Sequence, residues 1–335
     1  MRQTLVPAAL LIVVVAVLYA PTLRYPFIYE DQNDPDTFLA ETTGRELAAR
    51  LAAAPMRAVT ELTLAANRAV FGASNPVGYH AGNVALHLLN VVLVLLIAWQ
   101  WVPPAASVLV ALAFAVHPLN VEAVAYVSAR SELVASSGVL LALLGASLGA
   151  FTVALVGVLL ACLGKETAVM AWGLVPLWAI VTRTAFPVRR WSLTAGAVGM
   201  AGALALNWSH VPLGVDVGVV GRTAAAVCRL VALIPFPVGL TMDHDWHGVP
   251  FWLQMAALAA LIVLAGVSAA VVRDRCHWMA LAALATVLWF LPRFVVPVPE
   301  GLHEHHMVVP LAVWLICAGA WLSRSFFRVE YPSHG

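Results

Sequence analysis

The chain has 335 residues, 62% of them hydrophobic and only 10% charged, with a mean hydropathy of +0.90 and a net charge of +1. A soluble domain carries about 25% charged residues, so a water-soluble globule is excluded, and the near-neutral balance gives no basis for binding nucleic acid. The apolar runs are long and continuous rather than alternating, which favours helices over barrel strands as the membrane-spanning elements. The expected fold class is therefore an all-α polytopic membrane protein with about ten or eleven transmembrane helices.

In chain order, candidate spans fall at 4–23, 82–102, 105–120, 132–148, 149–163, 167–182, 191–207, 250–272, 277–297 and 307–323. The first lacks a clear small-residue cleavage pattern at Tyr19-Ala20-Pro21 and is expected to be a retained helix. Arginines cluster between runs at Arg183, Arg189 and Arg190, at Arg273 and Arg275, and at Arg324 and Arg328. Positive residues favour the cytoplasmic side. Both termini are then inside, and loops 24–80, 118–131, 164–166, 208–249 and 298–306 are outside. On that parity the stretch 221–240 makes one crossing too many. It is expected to lie along the membrane or to re-enter, which suits Arg222, Arg229, Pro235 and Pro237; the alternative is that 132–163 is not two spans. The reading is one transmembrane domain over 1–323 with a short cytoplasmic tail, 324–335.

Loop 24–80 is the one long segment between spans. Val59, Leu62, Thr63, Ala66 and Val70 recur at helical spacing, so Met56 to Gly72 reads as an amphipathic helix whose stop is Gly72, followed by a turn at Asn75-Pro76. Residues 43–53 read as a shorter helix. Two interfacial helices on one loop would frame an opening to lipid. Four cysteines, Cys162, Cys228, Cys276 and Cys317, have no paired spacing, so no disulfide or zinc-thiolate site is expected.

The chemistry-bearing residues concentrate on the outer loops. Glu30 and Asp31 follow directly on the first span, and carboxylates that close to hydrocarbon usually mark function. His80, Asn83, His87 and Asn90 share one face of the second span, either as interhelical bonding groups or as a cavity lining. Glu122, Tyr126 and Arg130 are spaced i, i+4, i+8 after Pro118, as a brace or, for the arginine, as a phosphate fork. Lys165, the only lysine, sits in a charged break, Gly164-Lys165-Glu166, without the glycine run of a phosphate loop. Asp243-His244-Asp245-Trp246-His247 and His303-Glu304-His305-His306 are suited to a polar cavity. They match no strong metal spacing, so no cofactor is expected, with a divalent ion as the lesser alternative.

Four segments resemble the membrane region of the TMTC family of O-mannosyltransferases, which are GT-C glycosyltransferases bearing tetratricopeptide repeats, and of their bacterial relatives. They are Phe27 to Asp31, Arg57 to Asn90, His117 to Glu132, and Gly164-Lys165-Glu166, with a weaker echo from His303 to Pro310. The resemblance implies a GT-C-like bundle and a polyprenyl-phosphate sugar donor. It also implies a catalytic base from the acid pair, Asp31 or Glu30. Glu30 stands where the family has aspartate, Ala58 where it has proline, and the repeats are missing. Donor-phosphate contacts are carried over to Arg130, Lys165 and His117. Glu122, His80, Arg57, Arg222, Glu304 and His305 complete the candidate substrate-binding set. The expected activity is sugar transfer, mannose by the resemblance, to an acceptor hydroxyl on a protein, lipid or glycan. The expected place is the outer face of a bacterial inner membrane. The alternatives are a transporter or flippase of a lipid-linked or polar solute, and a non-catalytic scaffold of the same fold.

Overall fold

A computed structural model describes residues 2–28, 44–205, 216–242, 244, 246, 248–272, 277–295 and 301–327. Every regular element among them is helical: α1 Arg2–Tyr19, α2 Gly44–Ala53, α3 Ala58–Phe71, α4 Pro76–Ala98, α5 Pro104–Val116, α6 Val121–Ala125, α7 Arg130–Ser147, α8 Phe151–Cys162, α9 Ala171–Thr182, α10 Val188–Ala205, α11 Val217–Ala232, α12 Phe251–Val271, α13 His277–Val295 and α14 Val308–Phe327. Short 3-10 turns precede several of them, at Pro55–Arg57, Pro118–Asn120, Glu166–Met170 and Glu304–Met307.

The chain is an all-α polytopic membrane protein. Four helical segments are long and apolar enough to cross a bilayer: Pro76–Ala98, Phe251–Val271, His277–Phe294 and Glu304–Ser325. A fifth is the pair Pro104–Val116 and Pro118–Ala125, bent by 52°, if it counts as one span. Ala9–Arg24, Phe151–Cys162 and Glu166–Thr182 are apolar but shorter. Among the described residues all ten predicted runs contain helix, and 132–163 does divide in two. The helical part of 221–240 stops at Ala232.

Helix α7 is the axis of the bundle. All of its residues except Ser137, Leu141 and Leu144 are buried, which is why its apolar pattern has no face. It packs on α4, α8, α9 and α14. By contrast α12 is mostly exposed, with Phe251, Trp252, Ile262 and Val263 outward, as suits a helix whose outer side meets lipid.

The α7–α8 hairpin is held by small residues. A Cβ on Gly157 would lie 2.5 Å from the Ala142 nitrogen and 2.7 Å from the Gly138 carbonyl oxygen, and one on Gly138 would lie 2.4 Å from the Ala161 nitrogen. Such backbone approach is how helices gain dispersion contacts where lipid removes the hydrophobic drive. Gly149 turns the hairpin at φ +67°, a conformation costly for residues with a Cβ. We expect Gly157→Ala to cost about 1–3 kcal/mol by overpacking. A thermal melt in detergent measures it, and an unchanged midpoint would mean that the hairpin tolerates separation.

The helices between the first two apolar runs form where the sequence places them. Gly72 ends α3 at φ 85°, its N–H donating to the Arg68 carbonyl, and Asn75 caps α4 by accepting from the Val77 N–H, with Pro76 in the first turn. Thr60 and Leu64 are the buried residues of α3, whereas Leu62 and Val70 are 49% and 72% exposed. Polar bonds decide the docking. The Thr60 hydroxyl donates to the Gly164 carbonyl at 2.8 Å, and Arg57 pairs with Glu166 at 2.8 Å.

Candidate functional site

Glu30 and Asp31, with Asp243, Asp245 and His247, lie outside the described residues. The chain leading toward the acid pair is held, however. The Tyr25 carbonyl is 3.1 Å from His80 Nε2, and the Phe27 ring meets the Tyr79 ring edge-on at 5.5 Å. His80 thus positions the exit of the first helix.

The expected Glu122–Arg130 brace does not form. Helix α6 stops at Ala125 and Tyr126 turns to extended backbone, φ −92° and ψ 119°, so the i, i+8 spacing never becomes one helical face. Arg130 starts α7 instead and is 1% exposed. Its guanidinium donates from Nε to Asn83 Oδ1 at 2.8 Å and from Nη2 to the Tyr79 carbonyl at 2.6 Å. From Nη1 it donates to Asn67 Oδ1 and, at 3.3 Å, to the Thr63 carbonyl. Gly82 leaves the room for this, since a Cβ there would be 2.8 Å from Nη2. Arg130 therefore joins α3, α4 and α7.

The remaining members of the polar stripe on α4 also bond between helices. Asn83 donates to the Val124 and Tyr126 carbonyls, His87 Nε2 sits 3.2 Å from the Ala115 carbonyl, and Asn90 bridges the Leu133 carbonyl and Ser137. His117 follows the same pattern. Its Nε2 donates to the Ile234 carbonyl at 2.9 Å while Nδ1 accepts from the Leu119 N–H, so the ring pins the end of α11 to the break before Pro118. Arg222 lies on α11, half-buried beside Asp216 and Gly218; its neighbour Thr223 reaches the Arg293 carbonyl at 3.4 Å.

The structure gathers the other candidates into one half-enclosed cluster. Lys165 Nζ meets Glu132 Oε1 at 2.6 Å, and that oxygen is 3.7 Å from His306 Nε2. Arg293, near the end of α13, donates to the same His306 nitrogen. Glu122 holds His305 twice, at Nδ1 (2.7 Å) and at the backbone N–H (3.0 Å). Glu304 takes His244 and the Thr241 N–H, at 3.2 and 2.8 Å, and His303 Nδ1 donates to the Met242 carbonyl. The rings of His305 and His306 stack at 4.3 Å. Trp246 closes the side, donating to the Leu302 carbonyl and packing where Gly301 has no Cβ.

Glu132 and Arg293 were not among the site residues expected from sequence. A carboxylate two residues after Arg130, opening an otherwise apolar helix, was the available signal for Glu132. Arg293 offered none, since an arginine at a helix end usually only reaches for the interface. Within this cluster cations and imidazole donors stand beside carboxylate acceptors, so it is suited to hold a polar or anionic group and to move a proton.

Protein O-mannosyl-transferase TMTC4 of Homo sapiens is 34% identical over 116 residues, which cover 30% of this chain and 16% of that protein, and the Mus musculus protein of the same name gives the same figures. Protein O-mannosyl-transferase Tmtc1 of Drosophila melanogaster is 36% identical over 108 residues, 30% of this chain and 13% of that protein. The chain thus spans about a sixth of the length of the curated relatives it matches. This partial homology relates it to TMTC-like glycosyltransferases. No family model and no solved structure matches the chain.

Proposed function

We propose that the chain is a membrane glycosyltransferase of GT-C type. It transfers a sugar, mannose on the likeness to its relatives, from a polyprenyl-phosphate donor to an acceptor hydroxyl on the extracytoplasmic face of a bacterial inner membrane. The observation that carries the proposal is the anchored exit of the first helix. Phe27 and Tyr25 are fixed on Tyr79 and His80, and the Tyr79 carbonyl is itself held by Arg130. Four residues of chain reach at most about 14 Å, so Asp31 is tethered within that distance of Phe27. Glu30 or Asp31 then acts as the base toward the acceptor hydroxyl. The partial homology to named O-mannosyltransferases supports the same chemistry.

The reaction is one inverting displacement. The acceptor oxygen attacks the anomeric carbon, its proton passes to the carboxylate, and the bond to the phosphate oxygen breaks. Polyprenyl phosphate leaves with the electron pair. Lys165 and Arg293, on the cluster's inner wall, are the cations suited to the charge that develops on it. Helix α11, with Arg222 and Arg229, lies along the membrane surface in this reading.

The test is transfer of labelled mannose from polyprenyl-phosphate mannose by purified protein in mild detergent. Glu30→Gln combined with Asp31→Asn should lower the rate about 10²–10⁴-fold, the usual contribution of a positioned base. Native mass spectrometry of the wild type should show bound polyprenyl phosphate. Unchanged transfer in the double variant sinks the assignment of the base. Binding of ordinary phospholipid alone, with no transfer, sinks the activity.

A further inference from the structure

We infer that Glu132, His305 and His306 form a binding site for one divalent transition-metal ion of zinc type, independent of the transferase reading. One ligand atom from each lies within 4.8 Å of the others. A tetrahedral zinc ion about 2.0–2.2 Å from nitrogen and oxygen ligands sets them roughly 3.3–3.6 Å apart. Glu132 Oε1 and His306 Nε2, at 3.7 Å, come close to that. The third ligand has to close by up to about 1 Å, on the least buried side chain of the three, His305, which is 13% exposed.

The tautomers carry the argument further than the distances. A carboxylate only accepts, so His305 gives its Nδ1 proton to Glu122 at 2.7 Å, and its lone pair is on Nε2. A guanidinium only donates, so Arg293 fixes His306 Nε2 as the unprotonated nitrogen. Nδ1 of His306 lies 3.1 Å from both the N–H and the carbonyl of His303, and with Nε2 accepting from Arg293 its proton faces that carbonyl. His305 thus has its far nitrogen bound to a carboxylate, which is how metal-binding histidines are held, whereas His306 Nε2 is already shared with Arg293. Two imidazoles and one carboxylate with a position left open match ion sites for zinc and neighbouring metals. Charge allows it: three carboxylates, Glu122, Glu132 and Glu304, face two permanent cations, Lys165 and Arg293. Arg293 occupies His306 Nε2 and competes with the ion, whereas Lys165 Nζ donates to Glu132 Oε1.

The experiment is zinc titration of tag-free, full-length protein in detergent, with metal content measured by mass spectrometry and cobalt(II) absorption as a report on coordination. Wild type should bind one equivalent. Glu122→Gln should weaken binding about 10–100-fold, as the loss of an orienting partner does, and His305→Gln should weaken it further. Arg293→Met should tighten it, a change that a purely structural cluster would not show. Each variant is checked for a single monodisperse species, and His305→Gln, altering the most exposed ligand, keeps the test open if Glu122→Gln misfolds. Wild type that binds no zinc in tenfold excess, or that binds it as well after His305→Gln, overturns the site.

Discussion

Arg130→Met should release α3 from the bundle. The substitution keeps the length of the side chain and removes donors that reach Asn83, Asn67, Thr63 and Tyr79. The Asn83 oxygen cannot turn to water, since that residue is fully buried, and leaving a buried acceptor unmet costs about 1–3 kcal/mol. The expected loss is therefore about 1–3 kcal/mol. It should appear first as faster amide exchange over Ala58–Phe71, whose other ties include the Val59 N–H to the Leu163 carbonyl, Thr60 to Gly164, Arg57 to Glu166, and buried Leu64. Arg130→Lys should recover less than half, since an ammonium is a point donor and cannot replace a planar fork. If exchange over α3 is unchanged and only donor binding falls, Arg130 is a ligand contact and not a clamp. Detergent melts of the same variants give the size of the effect.

The contrast between α3 and the spans shows what the sequence makes legible. The ten apolar runs are helices because length and continuity alone specify them, and breaks at Gly149 and Pro118 are local chemistry that a reader of the chain can see. The helix α3 was legible from its spacing, but the residues that dock it were not: Leu62 and Val70 face out while Thr60 and Asn67 bond inward. The stripe from His80 to Asn90 was correctly placed on one face, and its members meet carbonyls of α5, α6 and α7 or the loops beside them. The site itself was only half legible. Glu122 and His305 are 183 positions apart, Arg57 and Glu166 109. No spacing rule joins residues across that much chain, because a fold, not a period, brings them together. Glu132 was hidden for the same reason. Its neighbours Lys165 and His306 come from two other segments.

Removing either partner of the Lys165–Glu132 pair should harm the protein far more than removing both. Both side chains are buried, at 7% and 2% exposure, with a 2.6 Å contact. Breaking a buried pair from one side leaves a charge without water or partner and costs about 3–5 kcal/mol, whereas an apolar replacement of both is often neutral. The two single changes should not be equal. After Lys165→Met, Glu132 still has His306 at 3.7 Å, with Arg293 bonded to that ring, so the carboxylate keeps positive charge nearby. After Glu132→Leu, Lys165 loses its partner while the nearest other carboxylate, Glu166, is engaged by Arg57. Glu132→Leu should therefore sit near the top of that range and Lys165→Met below it. The double variant should melt close to wild type. Thermal midpoints of the four proteins complete the cycle, and additive losses would show that the pair is not coupled. The double variant then separates fold from chemistry. If it melts like wild type and still transfers sugar, the pair only braces α7 against the Gly164 break. If it melts like wild type and transfer is lost, Lys165 contributes to holding the phosphate, because its structural part has been replaced and only its charge is missing.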